Sequence, residues 1–193
     1  DIIRNNPKWF GGYSDITALH TAFNQLCDLE TYHCTMPSTE PNPNAYTMGY
    51  LKKALFGGLS GALSNPEDQP LRTLVPGSAE GILCGGNLSL LADSIGTPWE
   101  IDCKGKILFL EDIGEKTHRI DGMLTQLRNA GKFADCAGII LGAWTDCPPE
   151  IPERTLTLTE VFDQLIVPAG KPAVMDLACG HCPTTMALPL GRM

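Results

Sequence analysis

Apolar residues recur at three- and four-residue steps at Ile16, Leu19, Phe23, Leu26 and Leu29, the repeat that gives a helix one buried stripe. The spacing predicts a helix over about Asp15 to Leu29 with that stripe turned inward. Just before it, Trp9-Phe10-Gly11-Gly12-Tyr13 is short, aromatic and apolar, and reads as a strand entering the helix through Ser14. A second helix is expected over about Ala45 to Leu55, with Met48, Leu51 and Leu55 as its inner face, Asn44 as N-cap and Gly57-Gly58 as its stop. From Leu59 to Pro76 the chain turns to Gly, Ser, Asn, Pro and Asp, the composition of a linker. After it, Gly81 to Cys84 and Lys106 to Leu110 read as strands, and Ile120, Met123, Leu124 and Leu127 mark a helix ending near Gly131. Ala137 to Leu141 reads as a buried strand. Thr159 is the expected cap of a helix carrying Val161, Phe162 and Leu165, which Pro168 and Gly170 close before a strand at Ala173 to Leu177. Strands alternating with helices make the class α/β with partly parallel pairing. No internal repeat or low-complexity tract interrupts it.

Composition narrows the chemistry. The chain has 193 residues with 43% apolar and 19% charged side chains, inside the range of globular proteins and outside that of disordered or fibrous ones. Basic residues number 14 against 22 acidic. Phosphate neutralisation needs clustered Lys and Arg, so nucleic acid is not an expected partner. The longest apolar run, Ala137 to Trp144, is far short of the roughly 18 residues of a membrane span, and no membrane partner is expected. Eight irregularly spaced cysteines point to free thiols in a reducing cytosol, hence a cytoplasmic location. The start, Asp-Ile-Ile-Arg-Asn-Asn-Pro, lacks an initiator Met and a signal-peptide pattern, and is read as processed or cut from something longer. No residue pattern calls for a cofactor or a metal.

A Ser on an abrupt strand-to-helix turn is where hydrolases expose a nucleophile, with helix N-terminal amides facing the developing oxyanion. Gly12-Tyr13-Ser14-Asp15 has that layout, but G-x-S-x-G lacks its last glycine here, and a Ser before a helix more commonly serves as an N-cap. A nucleophilic Ser needs a base and a third group to orient that base. Of the four histidines, His20 lies mid-helix, and His33 and His118 lie in polar surroundings, where solvated side chains are expected. His181 follows a predicted strand, in Ala-Cys-Gly-His-Cys-Pro, at the strand edge on which ligands collect in open α/β sheets. Glu111 occupies the same kind of place after Lys-Ile-Leu-Phe-Leu, where a structural carboxylate would cap or pair instead.

Seven blocks in order carry a resemblance: Gly-Tyr-Ser-Asp-Ile-Thr-Ala-Leu-His (12–20), Gly-Gly-Asn-Leu-Ser-Leu-Leu (85–91), Gly-Thr-Pro-Trp (96–99), Ile-Leu-Phe-Leu-Glu-Asp-Ile-Gly-Glu (107–115), Arg-Ile-Asp-Gly-Met-Leu-Thr-Gln-Leu (119–127), Gly-Ile-Ile-Leu-Gly (138–142), and Gly-His followed by Leu-Pro-Leu-Gly (188–191). The chain resembles the LD-carboxypeptidases, or muramoyltetrapeptide carboxypeptidases. The resemblance implies a partial N-terminal α/β (flavodoxin-like) lobe with the nucleophile elbow over 1–58, a linker over 59–76, and a C-terminal α/β lobe over 77–193. It implies a triad of Ser14 as nucleophile, His181 as general base and then acid, and Glu111 holding the imidazole, with the backbone N–H of Asp15 in the oxyanion hole. The implied substrate is a murein tetrapeptide, cleaved at the L,D bond before its terminal D-alanine during peptidoglycan recycling, without a cofactor; a homodimer is left open.

Departures accompany the matches. The family's N-terminal lobe is longer and includes a glycine-rich loop supplying a second oxyanion donor; that material would lie before Asp1, and the C-terminus comes early, so the 193 residues are expected to be a fragment. Cys34-Thr35-Met36 stands where the family usually has Gly-Pro-Met. Beside Glu111, Asp112, Glu115 and Arg119 are candidates to line the substrate cleft, Arg119 for a peptide carboxylate, against the simpler reading of an exposed ion pair. Asn87 is a candidate substrate ligand or, more simply, a helix N-cap. Cys179-Gly-His-Cys182 spells a redox dithiol, but thioredoxin folds need a long stretch of chain after it, and adjacent His181 and Cys182 fit one tetrahedral zinc poorly. The remaining rivals are a serine peptidase like the microcin immunity proteins, cleaving acyl-adenylate-like toxins, and an inactive binding module.

Overall fold

A computed structural model describes residues 1–57, 59–149, 151 and 153–191. In chain order the elements are α1 (Ile2–Asn5), β1 (Gly11–Gly12), α2 (Ile16–Cys27), β2 (Thr31–His33), α3 (Ala45–Lys52), β3 (Arg72–Val75), β4 (Leu83–Asn87), α4 (Leu88–Ser94), β5 (Ile107–Ile113), α5 (Thr117–Asn129), α6 (Lys132–Asp135), β6 (Gly138–Thr145), α7 (Leu158–Leu165), β7 (Ala173–Met175) and β8 (Leu188–Leu190). They form the expected mixed α/β architecture around two sheets. The larger sheet has the order β3-β7-β6-β5-β4, parallel except for antiparallel β3 at its edge; the smaller is β1-β2-β8, with β8 antiparallel to β2. β3 comes from the stretch whose composition reads as a linker, and β8 returns the end of the chain to the N-terminal sheet. Among the described residues, no helix is long and apolar enough to cross a membrane.

β5 explains where the site lies. Successive side chains of a strand point to opposite faces. Leu108 and Leu110 therefore enter one core, with Leu88, Leu91, Leu124, Leu127 and Phe162 from the covering helices. Phe109 enters the other, with Tyr32, Leu51, Cys179 and Leu188. The same alternation sends Asp112 toward α4 and Glu111 into the space between the two sheets. At this point the β5–β6 register shifts: Leu110 opposes Leu141 but Asp112 opposes Trp144, so two residues of β6 face Glu111. Such irregularities re-aim side chains at the end of a strand.

The helix positions match the periodicity better than the helix faces do. α5 buries Ile120, Met123, Leu124 and Leu127 as predicted. α2, by contrast, buries Thr17, His20 and Thr21, while Leu19 and Leu26 are 42% and 50% exposed. Its polar face packs against backbone: Thr17 Oγ1 accepts from Asn87 N at 3.0 Å, His20 Nε2 meets Gly12 O at 3.0 Å, and Asn24 Nδ2 donates to Leu29 O at 2.7 Å. α3 likewise turns Thr47, Tyr50 and Leu51 inward, leaving Leu55 exposed; Asn44 caps it as expected, accepting from Thr47 N at 2.9 Å. It continues as a π-helical turn over Lys53–Gly57, and Gly58, half of the expected stop, lies outside the described residues. The cap of α7 is Thr157, not Thr159. Thr-x-x-Glu at 157–160 forms a reciprocal capping box with Glu160.

Candidate active site

Ser14 does not cap α2. Its φ is +63°, a left-handed conformation that a non-glycine residue holds at a cost of order 1 kcal/mol. Asp15 occupies the N-cap position and makes no side-chain cap bond. The turn is tied from both sides: Gly12 O accepts from Cys34 N and from the His20 ring, and Thr17 N donates to Ser14 O at 2.9 Å. A strand end thus passes through a strained elbow into a helix whose first amides, Ile16 N, Thr17 N and Ala18 N, bond back to the carbonyls of Tyr13, Ser14 and Asp15.

Glu111 and His181, remote in sequence, meet. Glu111 Oε2 lies 2.7 Å from His181 Nδ1 and also accepts from His181 backbone N at 3.1 Å, so one oxygen orients the ring and its peptide. The close approach depends on Gly180. At its φ of +120° a Cβ would sit 2.6 Å from Glu111 Oε2. The loop after β7 is fastened by Cys179 O accepting from Ala143 N, by the Thr145 hydroxyl donating to His181 O, and by Thr185 Oγ1 accepting from Gly180 N. Tyr13, the neighbour of Ser14, presses its ring against the His181 imidazole at 4.7 Å between centroids, edge to face. Its hydroxyl donates to Thr39 Oγ1 at 3.0 Å. The elbow and the Glu111–His181 pair are therefore adjacent, although among the described residues no hydrogen bond joins Ser14 to the imidazole. Tyr13, Thr35, Thr39, Glu40, Thr145 and His181 line a cleft open to solvent.

Glu111 is fully buried. Burial pushes its carboxyl up, but hydrogen bonding from His181 and the proximity of the His181 and His33 rings outweigh it, and the group falls to about 2. His33, expected in solvent, is buried with Nε2 3.5 Å from Glu111 Oε1, on the opposite side of the carboxylate from His181. The sequence signal for it was weak: one histidine in a three-residue strand too short to show a period. His20 is also buried, and burial lowers it to about 4; His118 is exposed.

The remaining candidates lie elsewhere. Asn87 caps α4 and donates from Nδ2 to Asp112 Oδ1 at 2.8 Å. Asp112 is buried and also accepts from Ser89 N, Ser89 Oγ and Ile113 N, which binds the end of β5 to α4. Arg119 and Glu115 form an ion pair of 3.8 Å beside the start of α5, with the Arg119 side chain 64% exposed. All eight cysteines are free thiols. Burial raises Cys179 well above the usual thiol range and Cys182 to about 11, the opposite of what a reactive redox dithiol needs. Among the described residues, no three His, Cys, Asp or Glu side chains are grouped to hold a metal ion.

Comparison with known proteins bears on this arrangement. Family models described as the LD-carboxypeptidase C-terminal and N-terminal domains match residues 80–193 and 1–34. The chain is 45% identical to the probable murein peptide carboxypeptidase of Bacillus subtilis, over 98% of this chain and 60% of that protein. Its fold is similar to that of a muramoyltetrapeptide carboxypeptidase from Oxalobacter formigenes, with a TM-score of 0.81 and 25% identity over 98% of this chain and 65% of that one. It is also similar to MccF in complex with glutamyl sulfamoyl guanosine, with a TM-score of 0.84 and 25% identity over 98% and 64% of the two chains. The chain therefore spans under two thirds of the length of the proteins it matches.

Proposed function

The chain belongs to the LD-carboxypeptidase family, and from that premise we propose that it carries the catalytic residues of a serine carboxypeptidase of peptidoglycan recycling. The substrate is a murein tetrapeptide, and the bond hydrolysed joins the L-centre of its diamino acid to the terminal D-alanine. Ser14 is the nucleophile, His181 the base and Glu111 the group that orients it. The observation that carries the reading is the 2.7 Å Glu111–His181 contact beside a strained Ser14 elbow. With Nδ1–H donated to an ionised carboxylate, Nε2 is left unprotonated and free to take a proton.

In the first half-reaction Ser14 Oγ attacks the carbonyl carbon and its proton passes to His181 Nε2. Charge on the carbonyl oxygen faces the N-terminus of α2, where the Asp15 N–H is the nearest peptide donor after the nucleophile. Collapse of this intermediate breaks the C–N bond, and the imidazolium returns the proton to the departing amine of D-alanine. Water then enters by the reverse of these transfers and releases the acyl group from Ser14. The free thiols support a cytoplasmic site of action.

A second reading has a specific support, the likeness to MccF with a bound acyl sulfamoyl nucleoside: the same three residues would cleave an acyl-adenylate-like compound. One assay separates them. Release of D-alanine from murein tetrapeptide and of the nucleoside from an aminoacyl sulfamoyl nucleoside are followed side by side, for the full-length protein containing this chain. D-Alanine release is expected to dominate, and Ser14→Ala is expected to abolish it. Undiminished turnover in that variant removes the mechanism, and cleavage of the nucleoside compound alone moves the substrate to the second class.

A further inference from the structure

The Glu111 carboxylate lies between two imidazoles, and only one of them is accounted for above. Oε2 is fully engaged by His181. Oε1 is buried and has no hydrogen-bond partner among the described residues, and the same is true of His33 Nε2. Buried polar atoms rarely stay unsatisfied. These two face each other at 3.5 Å, so a shift of a few tenths of an ångström would satisfy both, the kind of tightening that catalytic hydrogen bonds undergo when substrate binds.

The other surroundings of His33 fix its role further. Its Nδ1 lies 3.6 Å from Cys179 Sγ, and its ring packs edge to face on Phe109 at 5.1 Å and 6.1 Å from the His20 ring. The Cys179 thiol beside Nδ1 donates to Met186 O at 3.4 Å, so the carboxylate on the other side of the ring is the group that places its proton. A nitrogen lone pair turned toward a carboxylate would be repelled, so the ring proton belongs on Nε2. β2 holds the residue in register, with His33 opposite both Gly12 of the elbow strand and Leu188.

We propose that His33 is a positioning residue: its Nε2–H donates to Oε1 of Glu111, stops the carboxylate from rotating, and so keeps Oε2 aimed at Nδ1 of His181. The role rests on the reading of His181 and Glu111 as base and orienting group. A carboxylate held at one oxygen alone can turn about its last torsion, and a misplacement of the base by about 1 Å can cost about 100-fold in rate.

Two measurements test this. In long-range proton–nitrogen spectra of the histidine-labelled 193-residue chain, His33 must carry its proton on Nε2; a neutral Nδ1–H tautomer overturns the proposal without any substitution. In the same chain, the Nδ1–H proton of His181 should give a slowly exchanging downfield resonance. It should broaden or vanish in His33→Leu and return in His33→Gln, whose amide N–H can replace the imidazole donor. In the full-length protein His33→Leu should lower kcat by about 10- to 100-fold with KM within about twofold, and His33→Gln should recover most of the loss. A packing role predicts the opposite order, because leucine suits the Phe109 surroundings better than glutamine. Equal behaviour of the two variants, or an undisturbed His181 resonance in His33→Leu, overturns the proposal. If the resonance depends on His33 but the wild type releases no D-alanine, the positioning role is supported and the substrate reading of the preceding subsection is what fails.

Discussion

At the scale of single residues, two backbone conformations make the site. Ser14 at φ +63° forms the elbow between the strand and the helix it joins, and Gly180 at φ +120° lets the His181 peptide reach Glu111. Neither can be exchanged freely. Gly180→Ala would place a Cβ 2.6 Å from Glu111 Oε2 and 2.9 Å from its Cβ, so either the carboxylate or the loop must move. The expected result is a loss of about 100-fold or more in kcat, with far-ultraviolet circular dichroism retained. A variant with wild-type kcat would show that the close approach at Gly180 does not matter to catalysis. Ser14, Glu111 and His181 each follow a short apolar run, but that placement alone leaves Ser14 readable as an N-cap and Glu111 as a structural carboxylate, and the family resemblance is what joins the three. His33 is not among them. Its burial comes from β8 and the loop after β7 closing over β2, and both lie at the far end of the chain.

At the scale of elements, the period of apolar residues located helices without always giving their faces. α2 has an apolar stripe and a polar stripe, and the polar one is inside. Three backbone groups of other strands need partners there, and Thr17, His20 and Asn24 supply them. An unmade buried hydrogen bond costs about 1–3 kcal/mol, comparable to burying a leucine, so periodicity alone could not decide the face. α7 shows the reverse, a local rule that was fully legible: Thr-x-x-Glu starts the helix two residues before the threonine chosen by its apolar pattern. Thr157→Ala is expected to destabilise the fold by about 1 kcal/mol through loss of the capping box, whereas Thr159→Ala should change it by less than about 0.5 kcal/mol. Urea unfolding of the two variants decides this, and equal losses would contradict the assignment.

At the scale of the whole molecule, buried titratable groups link stability to pH. Burial depresses His20 from its ordinary 6.5 to about 4, so between these values the unfolded chain takes up a proton that the native one refuses. Its contribution is complete above pH 6.5 and declines as pH falls toward 4, by up to about 1.4 kcal/mol per pH unit. Glu111, lowered from 4.5 to about 2, acts in a lower window: its contribution is present above 4.5 and is lost as pH falls through about 2. Unfolding free energies measured from pH 7 to 4 should therefore fall less steeply in His20→Gln than in the wild type. An unchanged slope would mean that His20 titrates alike in both states. Order along the chain determined much of this protein by itself: the alternation of strands and helices, the α/β class, the caps at Asn44 and Asn87, and the polar residues at strand ends that the family resemblance joins into one site. Those features are local, set by spacing, turn chemistry and side chains a few residues apart. Only the tertiary structure decided which face of α2 is buried, that β8 joins the N-terminal sheet, and that two imidazoles share one carboxylate. Each of these depends on which distant segment fills the space beside a residue, and contact between segments so far apart leaves no periodic trace in either one.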